Sequence, residues 1–258
     1  MEKLIKGKMV FSLILSFLFI CVPWVLPLVQ ETAAEEVVLA STSLAGAIAR
    51  AAGAKEVRVL TPGELRHPPE YDLKPSDLLK FEGANVVVYG GYEKMVSKLL
   101  ETSKNKNILA IQIDTTTSPE NLVNQTRKVS KALKKEKEEQ AWEERFSGKL
   151  RELQNKLAPY SGKRAVVHRH AQPFSQWAGL STVYVFNPGE LTPKALADAI
   201  AQHPDLVVDI LHMPMARVIA DNAKCRYVQV INFPGVEKTV TLEDLFEYNA
   251  SQLIKAFR

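Results

Sequence analysis

Five histidines are available for chemistry in this sequence, and four of them fall at or just past the ends of apolar runs. His67 lies in a loop ahead of "PPEYDLKPSD". His168 and His170 sit one residue apart in "VVHRHAQPFSQWAGL", directly after the apolar residues Ala165–Val167. His212 follows "DLVVDIL" and precedes Met213 and Pro214. His203 differs: it ends a surface segment before Pro204 and reads as a solvated helix cap. Neutral imidazole is the commonest metal ligand. For any one of these residues a packed or solvated role is the plainer reading, and their clustering at strand ends is what favours a metal. If the strand ran on through His170, that ring would share a face with His168, because side chains repeat every second residue.

Other chemistries leave no trace. There is no phosphate loop, no dinucleotide-binding glycine fingerprint and no G-x-S-x-G elbow. The two cysteines, Cys21 and Cys225, form no C-x-x-C pair, which removes structural zinc and thioredoxin-type redox chemistry. A net charge of +4 is spread along 258 residues without a basic stripe, so no nucleic-acid partner is expected.

The elements that must position the histidines alternate. Strands are expected at 36–40, 57–60, 85–89 and 108–113, with helices at 44–52, 76–82 (Ser76 as N-cap) and 93–100 between and beside them. After residue 160 the alternation restarts, with strands at 165–168, 183–186, 206–211 and 227–231 and helices at 174–178, 193–202, 216–223 and 242–257. Short apolar strands alternating with helices imply parallel sheets covered on both faces. In open parallel sheets ligands collect at the carboxyl ends of strands, which is where the four histidines lie.

Between the two halves, residues 119–157 contain no proline or glycine except Pro119 and Gly148, and they are dense in charge. Leu122, Val129, Leu133, Trp142, Phe146, Leu150, Leu153 and Leu157 recur at near-helical spacing. One helix of this length would span nearly 60 Å at ~1.5 Å per residue; a helical hairpin broken near Gly148 is the other reading. Lys3, Lys6 and Lys8 precede the apolar run 9–29, and Thr32-Ala33-Ala34 follows it. This pattern predicts an exported protein with a signal cleaved after Ala34, an uncleaved membrane anchor being the competing reading. The expected organisation is residues 1–34 signal or anchor, 35–117 an α/β lobe, 118–158 a long linking helix, and 159–258 a second α/β lobe. Cys225 alone would remain in the processed chain, as a buried small side chain.

Four stretches together resemble the substrate-binding proteins of zinc and manganese ABC importers, the cluster A-I family. They are "HPPEYDLKPSDLLKFEGANVVVYGGYE", "DTTTSPENLVNQTRKVSKAL", "VVHRHAQPFSQWAGL" and "QVINFPG". The resemblance covers nearly all of the chain after residue 34. It implies two α/β lobes with parallel sheets joined by one long backbone helix, and capture of a divalent metal between the lobes for a membrane permease. Carried over by position, His67 falls on the first metal histidine. His168 falls on the C-terminal-lobe histidine, because its distance to Gly179-Leu180 fits and that of His170 does not. Asp114 stands where the family has a second histidine, and Asn232 where it has an acidic ligand. His170 or His212 is the expected replacement, giving three imidazoles and a carboxylate. That donor set suits a divalent transition metal, zinc first and manganese second.

The reading is thus an exported, monomeric binding protein and not an enzyme. Arg66 and Arg169 beside the histidines motivate an alternative, the same fold holding an anion or a chelated metal. A metal-dependent hydrolase is the third reading. It would need a general base, for which only Glu70 and Glu93 offer themselves.

Overall fold

The computed structural model describes residues 36–61, 63, 71–102, 107–189 and 191–258. The apolar segment 9–29 and the cleavage motif therefore lie outside the described residues, as do His67, Arg66 and Glu70. Among the described residues no helix is long and apolar enough to cross a membrane.

Each lobe is one four-stranded parallel sheet. The first contains β1 (Val37–Ala40), β2 (Glu56–Val59), β3 (Val86–Tyr89) and β4 (Leu109–Gln112), in the spatial order β2-β1-β3-β4. The second contains β5 (Arg164–His168), β6 (Ser181–Phe186), β7 (Leu206–Ile210) and β8 (Arg226–Val230), in the order β6-β5-β7-β8. The two orders are the same pattern. In each, the chain reverses its direction of growth between the first and third strands, the switch point at which parallel sheets open a ligand crevice. The helices are α1 (Ser43–Ala51), α2 (Pro75–Phe81), α3 (Lys94–Thr102), α4 (Pro119–Leu133), α5 (Glu136–Leu157), α6 (Gln172–Trp177), α7 (Pro193–Ile200), α8 (Arg217–Ala223) and α9 (Leu242–Phe257). The alternation expected from the sequence is found throughout, with ends displaced by a residue or two.

Alternate residues of each strand feed different cores. In β1, Val37 and Leu39 join Val87, Met95, Val96 and Leu99 in a cluster belonging to the first lobe alone. Val38 and Ala40 face the other way, into a larger cluster shared by both lobes. In the second lobe Val166 and Val207 pack with Ile219 and Ala220 on the outer side, while Val167 and Val208 join the shared cluster. Helices α1, α4, α5 and α9 fill that shared cluster with Ile48, Leu122, Phe146 and Phe246 among others. Phe146 is fully buried; it stacks on Trp142 at 4.8 Å and meets Phe246 edge-on at 5.7 Å.

One long helix, the 22-residue α5, joins the lobes. The segment ahead of it does not continue the same rod. Lys134 ends α4 in a left-handed conformation (φ 57°, ψ 44°) and α5 begins two residues later. Arg127 reaches across to Glu143 at 2.6 Å. Sixteen residues apart on one helix, these two would be separated by ~24 Å, so α4 and α5 fold back on one another. Gly148 is not the break; it lies inside α5 with open space around it. The reversal lets the stripes Leu122–Val129–Leu133 and Trp142–Phe146–Leu153 both reach the shared core. The start of α2 also differs from expectation. Pro75 is its first residue, and the Asp77 carboxylate, not Ser76, accepts the Lys74 N–H at 2.9 Å and the Tyr71 hydroxyl at 2.8 Å.

Candidate metal centre

The carboxyl ends of β5, β7 and β8, three neighbouring strands, deliver the polar atoms of the second lobe. His168 is the last residue of β5 and is fully buried. Its Nδ1 accepts the backbone N–H of His170 at 3.1 Å. A neutral imidazole carries one ring proton, so this bond places that proton on Nε2. Nε2 itself is buried and has no hydrogen-bond partner among the described residues. Burial lowers the His168 pKa to about 4; the nearby Asp209 carboxylate pulls the other way and His170 adds to the lowering. The ring is therefore neutral at neutral pH, the form in which a histidine can ligate a metal.

Immediately after His168 the chain leaves the strand for a 3-10 turn, Arg169–Ala171. His170 does not continue the strand face. Its backbone caps the His168 ring, the two rings lie 5.3 Å apart, and the residue is exposed. Arg169 is exposed and hydrogen-bonds Asn187.

Past β7, His212 is 8% exposed and neither ring nitrogen has a hydrogen-bond partner among the described residues. Burial lowers its pKa; the backbone of Gly63 is close enough to offset this in part without making a bond of normal geometry. Its ring packs on Phe233 at 4.0 Å. The loop that carries His212 is fastened by Asp209, a fully buried carboxylate on β7. Asp209 Oδ2 accepts the N–H groups of Met215 and Ala216, each at 2.8 Å, and the Tyr227 hydroxyl at 2.9 Å. Burial and this carboxylate push the Tyr227 pKa upward, so the phenol stays a donor. Past β8, Asn249 clamps Ile231 by both its N–H and its C=O, at 2.8 Å each. The next residue, Asn232, has a buried Oδ1 with no partner.

In the first lobe the corresponding switch point lies between β1 and β3, and a carboxylate fills it. Glu93 is 2% exposed. Its Oε1 accepts the Ser41 hydroxyl at 2.6 Å and the Gly90 N–H at 3.0 Å, and its Oε2 accepts the Gly91 N–H at 2.8 Å. Gly91 has φ 92°, and a Cβ there would lie 2.0 Å from Gln112 Nε2, so only glycine fits this turn. Glu93 thus holds the loop after β3 against Ser41. Asp114, past β4, is exposed; its Oδ1 accepts the Thr116 N–H at 2.8 Å and its backbone N–H is capped by Gln125.

In the second lobe His168 and His212 are buried and Asn232 half-buried, and each carries a buried polar atom with no partner among the described residues. His170 stands beside them through its backbone, and Asp114 is engaged in a local turn. Among the described residues no three or more His, Cys, Asp or Glu side chains are grouped to hold a metal ion. Asp209 is a positioning residue that the histidine pattern does not mark. Its signal was an acid inside the apolar run "DLVVDIL", which can be buried only if its oxygens are satisfied.

Comparison with known proteins bears on the same arrangement. The profile of the family described as zinc-uptake complex component A, periplasmic (ZnuA), matches residues 38–256. No curated protein matches the chain. Among solved structures, the Mn-bound periplasmic metal binding protein from Candidatus Liberibacter asiaticus aligns with TM-score 0.67 at 16% identity, over 86% of this chain and all of that one. The Cd-bound form of that protein gives TM-score 0.68 at 16% identity with the same coverage. The SBP FpvC from P. aeruginosa in complex with Ni2+ gives TM-score 0.66 at 14% identity, over 86% of this chain and 96% of that one. At such identities these structures speak for the fold. The family match spans both lobes and the helices between them, and on it the chain belongs to the ZnuA family, metal-capturing extracytoplasmic binding proteins of ABC importers.

Proposed function

We propose that this protein captures zinc in preference to manganese, acts as an exported monomer, and hands its cargo to a membrane permease without catalysing a reaction. The observation that carries the reading is His168: a buried, neutral imidazole at a sheet switch point with its Nε2 unpartnered. The donors available beside it are rich in nitrogen. His212 offers two unpartnered ring nitrogens, whereas Asp209 and Glu93 are already saturated with hydrogen bonds. Imidazole-rich sites suit zinc, and manganese prefers more oxygen. The proposed ligands are His67 and His168 first, then His212, Asp114 and His170.

Isothermal titration of the purified protein with zinc and with manganese tests this. Saturable binding at micromolar zinc, tighter than manganese, is expected, and His67→Ala and His168→Ala should each weaken it at least about tenfold. The absence of saturable binding would overturn the reading. The saturated carboxylate of Glu93 also speaks for a carrier over a hydrolase, since a general base needs a free oxygen.

A further inference from the structure

A cavity of about 340 Å3 opens between the two lobes. Ser43, Arg50, Thr61 and Lys80 wall it from the first lobe, and Gly235 and Thr239 from the second. Gly63 also lines it, and the backbone of Gly63 is the one that lies against the His212 ring, so the cavity adjoins the candidate metal centre. The lobes come very close here: a Cβ on Gly63 would meet the Gly235 carbonyl oxygen at 2.4 Å. Among the described residues of the wall there are two cations and no acidic side chain.

The two cations are not equivalent. Lys80 is committed, 3.1 Å from Asp77 and donating to the carbonyls of Val59 and Leu60 at 3.2 Å each. Arg50 has neither an ion pair nor a hydrogen bond among the described residues. Its side chain runs back along α1, with Nη1 3.3 Å from where a Cβ on Gly46 would stand. Partial burial lowers its pKa, and no carboxylate among the described residues offsets that. The Ser43 hydroxyl in the same wall has no hydrogen bond among the described residues either. The hydroxyls of Thr61 and Thr239 already donate, to the carbonyls of Ser41 and Val236. Arg50 is exposed at the cavity and meets no counter-charge among the described residues, and its planar fork matches an oxyanion.

We propose that this cavity is an anion site, in which Arg50, with Ser43, binds a small oxyanion of phosphate size. Because both lobes wall the cavity, the bound anion ties them together. Resting on the proposed function, it therefore also strengthens metal capture at the adjoining centre. Linkage makes the coupling reciprocal.

The test is titration of the metal-free full chain with inorganic phosphate, and separately with acetate to tell a phosphate-type ligand from a carboxylate. Saturable binding at millimolar phosphate is expected. Arg50→Met should weaken it roughly tenfold or more, as loss of a charge-assisted hydrogen bond does, and Arg50→Lys should recover it only in part because the fork is gone. Ser43→Ala, a smaller change, should weaken it by a lesser factor and serves if the arginine variant folds poorly. No binding of either anion to the unaltered chain, or equal affinity in Arg50→Met, would overturn the site. Zinc affinity measured with and without phosphate reads the coupling; equal affinities would remove it. Phosphate binding is read without metal, so failure of the metal reading leaves this result standing.

Discussion

As the proposed ligand, His168 would meet incoming metal with a proton in the way. Its Nδ1 accepts the His170 N–H, so its ring proton sits on Nε2, the one nitrogen left to ligate. A metal on Nε2 requires that proton to leave, and the ring stays neutral only if Nδ1 takes one up and releases the His170 amide. Zinc should therefore shift the His170 amide resonance far more than those of Val166 and Val167; an unmoved His170 amide would argue against ligation by Nε2. The same ring sets a pH dependence in the metal-free protein. Its pKa is about 4 when folded, against ~6.5 in an unfolded chain. Above the unfolded value both states are neutral and the full stability is present. As pH falls below it the unfolded chain takes up a proton that the folded chain refuses, so stability declines until the folded value is reached. The loss is on the order of 3 kcal/mol. Asp209, His170 and Phe186 surround the ring. Urea denaturation from neutral pH to about pH 4 should show a shallower decline for His168→Gln; parallel declines would refute the assignment.

Among the elements, the turn between α4 and α5 is the place where local sequence and final structure disagree. Lys134 adopts a left-handed conformation that costs a β-carbon-bearing residue ~1 kcal/mol or more. Lys134→Gly should raise stability by about 0.5–1 kcal/mol, net of the extra freedom glycine gains when unfolded; an unchanged urea midpoint would mean that the turn is not strained. The strands were legible in the sequence because parallel strands buried on both faces read as unbroken apolar runs, as "NVVVY" and "DLVVDIL" do. Thr192 and Ser118 announced the helices that they cap. The reversal at Lys134 was not legible, because no glycine or proline marks it and the charged run around it suits an unbroken helix. What bends the chain there is distant: the demand of two apolar stripes for one core. His168 could be singled out because its spacing to Gly179-Leu180 is local. Asp209 and the Ser41–Glu93 bond could not, since both are contacts made only when separate strands come side by side.

At the scale of the whole molecule the shared core is the main feature, because residues of both sheets and five helices belong to it. Phe146→Ala should cost about 3–5 kcal/mol, and both lobes should melt in the same transition. Near-ultraviolet signals from Trp142 and from Trp177, which packs on Phe246, would coincide in midpoint; separated midpoints would show that the lobes are independent. Parting the sheets widely would expose that core to water, at a free-energy cost far above what one metal ion returns. Cargo must then enter through small local adjustments at the cleft, and loading has no slow gate ahead of it. The observed loading rate should climb in proportion to metal concentration, and a plateau would contradict this. How long the cargo stays then depends on its few bonds to the side chains.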